Sequence, residues 1–249
     1  MTDKEELDKL FSICSVNLKN SKPCLDYLSK RGFSDEFIKK NKIGYFPQNI
    51  RALTKYVDEE SLIRLGVICP GNWSKFCNNY SMVFPIHDEY NEPVGIAGRT
   101  LASESERSTL GLSKYENSKY KKSKILYGLN NSRGHILKNN NVYVVEGYFD
   151  HISMDMNGIR NSVAICGTAF SNNHFIKLLR YTDTITFLLD NDDAGRKSME
   201  NIFYKYSGKG ANLQFKKLPE GYKDIDQFFF DGKTRQMFEN SIEDFLMGW

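Results

Sequence analysis

No two cysteines in the sequence stand at zinc-knuckle spacing. The five that exist, Cys14, Cys24, Cys69, Cys77 and Cys166, are odd in number and widely scattered, and no histidine falls near one at ligand distance. A structural zinc site draws on closely spaced nitrogen and sulfur ligands, so no zinc is expected. The cysteines are expected to be reduced and mostly buried, because a free thiol packs as a small hydrophobe. Long apolar runs are missing as well. Stretches such as Thr186 to Leu189 fall far short of the roughly 20 residues that a bilayer-spanning helix needs. The N-terminus, MTDKEELDKLF, has neither a basic n-region nor an apolar h-region. It is not a signal peptide, so a cytoplasm is the expected compartment and no membrane partner is expected. Internal repeats are absent, and the short Asn139 to Asn141 run reads as a turn.

What is present is the composition of a soluble globular protein. With 40% hydrophobic and 26% charged residues, 249 residues can bury one large core or two smaller ones. The net charge of +3 is unevenly spread. From Arg107 to Lys138 the cations Arg107, Lys114, Lys119, Lys121, Lys122, Lys124, Arg133 and Lys138 face Glu116 alone, with Tyr115, Tyr120 and Tyr127 interleaved. Such a stretch suits a phosphate backbone, and on composition alone a solvated lysine-rich loop accounts for it equally well.

The chain has two textures. Over the first ~60 residues the apolar spacing is helical. Leu7, Leu10, Phe11 and Cys14 share one face; Pro23 opens a second helix stopped by Gly32; Ser34 caps a third, DEFIKKN. Leu53 to Val57 and Ser61 to Leu65 predict two short helices. MVFPI and VGIAGRTL read as the two strands of a hairpin around the turn HDEYNEP, ending near Arg99. The segment from Ala102 to Ser113, rich in serine and charge, reads as a mobile loop.

In the second half strands and helices alternate. VYVVE (142–146), SVAIC (162–166), TITFLLD (184–190) and ANLQFKKL (211–218) read as strands, separated by the helices FDHISMDMNG, SNNHFIKLLRYT and DDAGRKSMENIFYKY. That order predicts a parallel sheet joined by crossover helices. A last helix is expected from Arg235 to Leu246, with Phe238, Ile242 and Phe245 on one face, more a packing face than a docking one.

Acidic residues collect where such a sheet binds ligands, at the carboxyl ends of its strands. Glu146 ends the first strand and Asp150 follows one turn later. Asp190 and Asp192 end the third, and Asp224 and Asp226 follow the last, both pairs at alternate spacing that lets their side chains face one side. Carboxylates so crowded repel one another unless a cation neutralises them. Hard oxygen ligands in this number suit Mg²⁺ or Mn²⁺ held against phosphates. Helix capping is the favoured account of any single pair, through Asp150, Asp192 or Asp224; three pairs at one sheet edge favour the metal. Gly147 and Gly195 let the backbone approach a ligand, or serve tight turns.

EGYFD, the segment Gly167 to Phe170, DNDDAGR and KDIDQF, in this order, resemble the Toprim domain shared by bacterial-type primases, topoisomerases and several nucleases. Three further segments choose among these. YLSKRGFSDEFIKKNKIGYFP, MVFPIHDEYNEPVGIAGRTL and KYENSKYKKSKILYGLN resemble the RNA-polymerase core of the bacterial, DnaG-like DNA primases. The likeness runs from about Tyr27 to Phe230. It implies an α/β fold: a Toprim parallel sheet flanked by helices, preceded by a smaller mixed α+β basic subdomain. The implied domains are residues 1–138 for the basic subdomain, 139–220 for Toprim, and 221–249 for an acidic metal loop with a short helical end.

The resemblance implies Glu146 as the catalytic glutamate, either ligating metal or handling a proton. It implies Asp190 and Asp192 as metal ligands, with Asp150, Asp224 and Asp226 completing the acidic cluster. Arg99, Lys114, Asn117 and Lys122 match positions that contact template or nucleotide; Asn117 could instead cap a turn, and Lys121 or Lys124 could substitute for Lys122. The expected activity is short RNA primer synthesis from NTPs on single-stranded DNA, in the cleft between the halves. Expected partners are a replicative helicase and a separate protein that supplies template selection. The family's zinc-binding domain has no counterpart in the sequence, and Asn78 to Ser81 carries no arginine where the family usually has them. A reduced core of this kind fits a bacteriophage or plasmid. The alternatives are a Toprim nuclease using the same acids with water, a topoisomerase, which the length disfavours, and a non-catalytic DNA- or helicase-binding subunit.

Overall fold

The computed structural model describes residues 2–245 apart from 72 and 168. The chain divides into two compact units, one of residues 1–87 and 92–120, the other of residues 88–91 and 121–249. Packing thus separates the chain between residues 120 and 121, and the segments 121–138 and 221–245 pack with the second unit.

The first unit opens with helices α1 (Asp3–Asn17), α2 (Lys22–Lys30) and α3 (Asp35–Lys40). Their starts are set by side chains that satisfy otherwise unpaired amides: Thr2 and Glu5 form a capping box, and Ser21 and Ser34 accept from the N–H groups of Cys24 and Phe37. A short strand β1 (Gly44–Tyr45) follows, then helices α4 (Ile50–Leu53), α5 (Glu59–Arg64) and α6 (Lys75–Asn78). The helix expected at 53–57 lies earlier, because Asn49 caps it by accepting from Ala52 N. Strands β2 (Met82–His87) and β3 (Pro93–Arg99) form the expected hairpin inside an antiparallel sheet of order β1-β2-β3-β4, where β4 is Tyr115–Asn117. On α1, Leu7, Leu10, Phe11 and Cys14 are buried as their spacing predicted, against Phe46, Phe76, Val83 and Ile96. Each large apolar side chain so buried contributes roughly 1.5–3 kcal/mol.

The loop expectation fails. Within the stretch read as a mobile loop, Glu104–Leu110 form helix α7. A Ser103–Glu106 capping box starts it and Gly111, in the left-handed region, ends it, so the terminal signals outweigh the serine-rich composition. The lysine-rich segment is likewise structured: it contributes β4, a 3₁₀ turn (Lys122–Lys124) and the start of helix α8 (Leu129–Asn139).

The second unit continues with β5 (Val142–Val145), α9 (Tyr148–Met156), β6 (Ser162–Ala164), α10 (Asn172–Leu178), β7 (Thr184–Phe187), α11 (Asp193–Tyr206) and β8 (Asn212–Lys217). All neighbouring pairs among these four strands are parallel, in the order β6-β5-β7-β8. Alternation divides the strand residues between two cores. Val142, Val144, Ile185 and Phe187 pack with Ile136, Phe175, Leu178 and Met199, whereas Val145 packs with Met154, Ile159 and Phe228. The chain then forms α12 (Ile225–Phe230), α13 (Arg235–Ser241) and a strand β9 (Glu243–Asp244) antiparallel to β8. The expected helix to Leu246 therefore stops at Ser241; residue 246 lies outside the described residues. Lys216 and Lys217 draw Asp244 and Glu243 into ion pairs of 2.7 and 3.0 Å, and Phe245 N donates to Phe215 O. Cross-strand pairing of opposite charges thus outcompetes another helical turn. Of the cysteines, Cys14 and Cys24 are buried, Cys77 and Cys166 half-buried and Cys69 exposed, fewer buried than expected.

Candidate active site

β5 and β7 lie side by side, yet the chain leaves β5 toward β6 on one side and leaves β7 toward β8 on the other. Connections that diverge from adjacent parallel strands open a crevice at their carboxyl ends. Glu146 follows β5 and Asp190 follows β7, so both stand at that point. They meet: Asp190 N donates to Glu146 Oε2 at 3.5 Å. Cys166, at φ 51°, donates its N–H to the Glu146 carbonyl at 2.8 Å, fixing the backbone from the β6 side.

The strands end sooner than read, at Val145 and Phe187, so strand alternation does not orient Asp190 and Asp192. Helix caps do much of that work. Asp192 caps α11, accepting from Gly195 N at 3.0 Å. Asp224 caps α12, accepting from Gln227 N at 2.7 Å. Asp150, in the first turn of α9, accepts from Gly147 N at 2.8 Å and from Asp226 N at 3.2 Å. Asp226 in turn accepts from Ser153 Oγ at 2.9 Å. Capping and convergence are not alternatives here, since a carboxylate has a second oxygen and several lone pairs. Gly195 serves a tight junction: a Cβ there would lie 2.0 Å from the Asp190 carbonyl oxygen.

The cluster's charge is frustrated. Burial pushes Asp190 up to about 8, and the charges of Asp150, Glu146, Asp224 and Asp192 add to the effect. Burial likewise lifts Asp150 to about 7, helped by Asp224 and Asp226. Glu146 is raised by burial, against the relief of the Asp190 N–H. Asp192 is held below the usual range by the Gly195 N–H and by Lys223, whose Nζ is 3.4 Å from Asp192 Oδ2. Among the described residues no three acidic, histidine or cysteine side chains form a closed metal cage. Mg²⁺ and Mn²⁺ do not require one, since Mg²⁺ in particular keeps several waters and takes only one or two carboxylates beside substrate phosphates. Hard oxygens crowded in this way, with Asp150 and Asp190 raised for want of a counter-charge, fit such an ion.

The basic residues fall in different units. Arg99, Lys114 and Asn117 gather in the first, where β3 pairs with β4 through Arg99–Tyr115 and Ala97–Asn117. Arg99 is 6% exposed. Its guanidinium donates to the hydroxyls of Tyr115 and Tyr27, both at 2.5 Å, and lies 5.1 Å from each ring centroid. Cation–π contacts of this kind offset its desolvation. Lys114 Nζ stands over Tyr115, and Asn117 Oδ1 accepts from Tyr120 at 2.8 Å, on a strand rather than as a turn cap. Lys122 belongs to the second unit, and its charge acts on Cys166 at the carboxyl rim of the sheet.

Sequence reasoning passed over several residues that build this site. Lys223 stood in the quoted KDIDQF, but nothing local says that it meets Asp192. Asn191, the middle residue of the acid pair, donates to the carbonyls of Leu218 and Tyr222 at 3.3 Å and so ties the β7 loop to the β8 loop. Ser171 and His174 hold the lysine turn: Ser171 Oγ donates to Ser123 O at 2.6 Å, and His174 Nε2 to Lys122 O at 3.0 Å. His174 Nδ1 accepts from Ser171 N, which assigns the proton to Nε2.

Residues 11–133 match the family model of the DNA primase catalytic core, N-terminal domain, and residues 143–229 match a Toprim-like model. The DNA primase of Aquifex aeolicus (strain VF5) is 29% identical over 246 residues, covering 95% of this chain and 49% of its own length. That of Rickettsia prowazekii (strain Madrid E) is 34% identical over 206 residues, covering 79% of this chain and 34% of its own. The chain thus spans about half, or less, of the length of these relatives. A structure of the Aquifex aeolicus primase zinc-binding and RNA polymerase domains superposes with a TM-score of 0.81 at 28% identity, over 97% of this chain and 62% of that one. A DnaG primase catalytic domain bound to single-stranded DNA gives 0.80 at 27% identity, over 96% and 79%.

Proposed function

The chain belongs to the family of DnaG-type DNA primases, whose RNA polymerase core with a Toprim domain it carries, and on that premise we propose that it synthesises short RNA primers on single-stranded DNA during replication. The observation that carries this reading is the carboxylate cluster at the diverging ends of β5 and β7, with Asp190 and Asp150 raised to about 8 and 7.

Glu146, Asp190 and Asp192 would hold a divalent ion, Mg²⁺ or Mn²⁺, with Asp150, Asp224 and Asp226 around it. When bound, the ion supplies charge for the triphosphate and acidifies the attacking 3′-hydroxyl. The protein's own residues orient the reactants. Asp192 and Asp224, fixed as helix caps, keep the acidic edge in register. Asn191 holds the two acidic loops together. Arg99 secures Tyr115 and so positions Lys114, just before β4, and Asn117 at its end, where cations and amides meet template or triphosphate. Lys122, on its pinned turn, presents a further cation toward the sheet's carboxyl rim. The proposed partners are single-stranded DNA, NTPs and a replicative helicase. The setting is a bacterial cytoplasm. Among the described residues no helix is long and apolar enough to cross a membrane.

The test is primer synthesis from labelled NTPs on mixed single-stranded templates with Mg²⁺ or Mn²⁺, with and without a replicative helicase. Short RNA products from the wild type and none from Asp190→Ala are expected. Strand cleavage without NTPs would replace the reading with a nuclease, and undiminished product from Asp190→Ala would remove the acids from catalysis.

A further inference from the structure

Asp192 brings two oxygens to the acidic edge. Oδ1 is taken by the α11 cap, accepting from Gly195 N at 3.0 Å. Oδ2 faces Lys223, whose Nζ lies 3.4 Å away. The lysine side chain is 62% exposed and the aspartate 41%, and an ion pair so open contributes little to stability. Its effect falls on the cluster instead. Partial burial favours the neutral amine, yet the charges of Asp192, Asp190 and Asp224 hold the ammonium above its usual range. The same cation relieves Glu146, which burial raises. A single side chain thus acts on Glu146, Asp190, Asp192 and Asp224 together.

Lys223 stands on a fixed backbone. Its carbonyl accepts from Asn191 N at 2.7 Å, and its N–H donates to Gln227 Oε1 at 3.1 Å. The ammonium is therefore carried from a set point beside the acids on a flexible four-carbon stem. Asp192 Oδ2 is the oxygen that the α11 cap leaves for a divalent ion. An ammonium and a divalent ion at that oxygen repel one another, so metal uptake requires the stem to swing aside. The freed ammonium needs an anion, and a triphosphate that shares the ion with the carboxylates offers one.

We propose that Lys223 is an exchangeable counter-ion: its ammonium holds Asp192 Oδ2 in the metal-free protein, yields that oxygen to a divalent ion, and then takes a phosphate oxygen of the triphosphate. The assignment rests on the primase reading and deepens it. Its consequence is reciprocal, since ion and nucleotide each favour the binding of the other. The test titrates the protein with Mn²⁺ at low salt and without nucleotide, reading free Mn²⁺ by electron paramagnetic resonance. Lys223→Met should bind Mn²⁺ about tenfold more tightly than the wild type, as removal of one positive charge beside the ion requires. Lys223→Arg, which keeps the charge, should stay close to the wild type. Lys209→Met removes the same charge beyond the far end of α11 and should leave the affinity unchanged. In primer synthesis Lys223→Met should raise the KM for NTP severalfold. Mn²⁺ affinity unchanged or weakened in Lys223→Met overturns the counter-ion and leaves the primase reading standing. Equal tightening in Lys209→Met assigns the effect to net charge and also overturns it. An unchanged KM for NTP overturns the transfer to the triphosphate. Absence of Mn²⁺ binding from the wild type and Lys223→Met alike overturns the metal site and the primase reading with it.

Discussion

At the scale of single residues, the acids of the site are costly to keep charged. Asp190 and Asp150 are raised from 3.8 to about 8 and about 7. A folded-state value above the unfolded one means that the native protein holds the proton more tightly. Their contribution to stability is therefore complete near pH 4 and is lost as pH rises through 7 and 8. Glu89, His151 and His174 work in the opposite direction, being lowered, but their contributions change only below their ordinary 4.5 and 6.5. Thermal unfolding in a chelator should thus show stability declining from pH 7 to 8, with Mg²⁺ reversing the decline. Asp190→Asn should stabilise the metal-free protein at pH 8 by roughly 1–2 kcal/mol, or ~3–6 °C, while abolishing the Mg²⁺ effect. A metal-free wild type that gains stability between pH 7 and 8 would contradict this account. The acids themselves were legible because an acid after three of the four strands is a local pattern. Lys223 as partner of Asp192 was not, since the contact joins two loops that only the sheet brings together.

Among the elements, the turn Lys122–Lys124 shows how a basic segment becomes a fixed surface. Its carbonyls at Lys122 and Ser123 accept from His174 and Ser171 at the start of α10. Burial keeps His174 below the usual imidazole range, so it is neutral at pH 7 and donates from Nε2. His174→Ala leaves buried polar groups unmatched and should cost about 1–2 kcal/mol. It should also raise the apparent KM for template or NTP more than it lowers kcat, and His174→Gln, which retains a donor, should restore most of that loss. Equal losses in kcat and KM with no rescue by glutamine would reduce His174 to a structural role. Composition alone left this segment open between a phosphate surface and a solvated loop. Its lysines are visible in one dimension; the histidine that holds their backbone lies 52 residues away. Helix α7 was missed for a different reason. Its signal, Ser103 followed by Glu106 and then Gly111, is local and was outweighed by the reading of composition.

For the molecule as a whole, charge distribution matters more than the total. A net +3 would predict weak attraction to nucleic acid, yet 107–138 concentrates eight cations against one acid. Oligonucleotide binding should therefore weaken steeply with salt, and replacing Lys121, Lys122 and Lys124 together by alanine should reduce the log–log slope by about 2. A slope unchanged in that variant would exclude the lysine turn from the binding surface. By itself the sequence determined the alternation of strands and helices in the second half, the hairpin, the buried face of α1 and the acids expected to carry chemistry, because each depends on neighbours within a few residues. Tertiary structure alone decided that Asp190 and Glu146 meet, that Arg99 is enclosed by Tyr27 and Tyr115, and that the last helix yields to β9. Those outcomes depend on strand order and on contacts between distant segments, where burial and charge pairing outweigh local propensity.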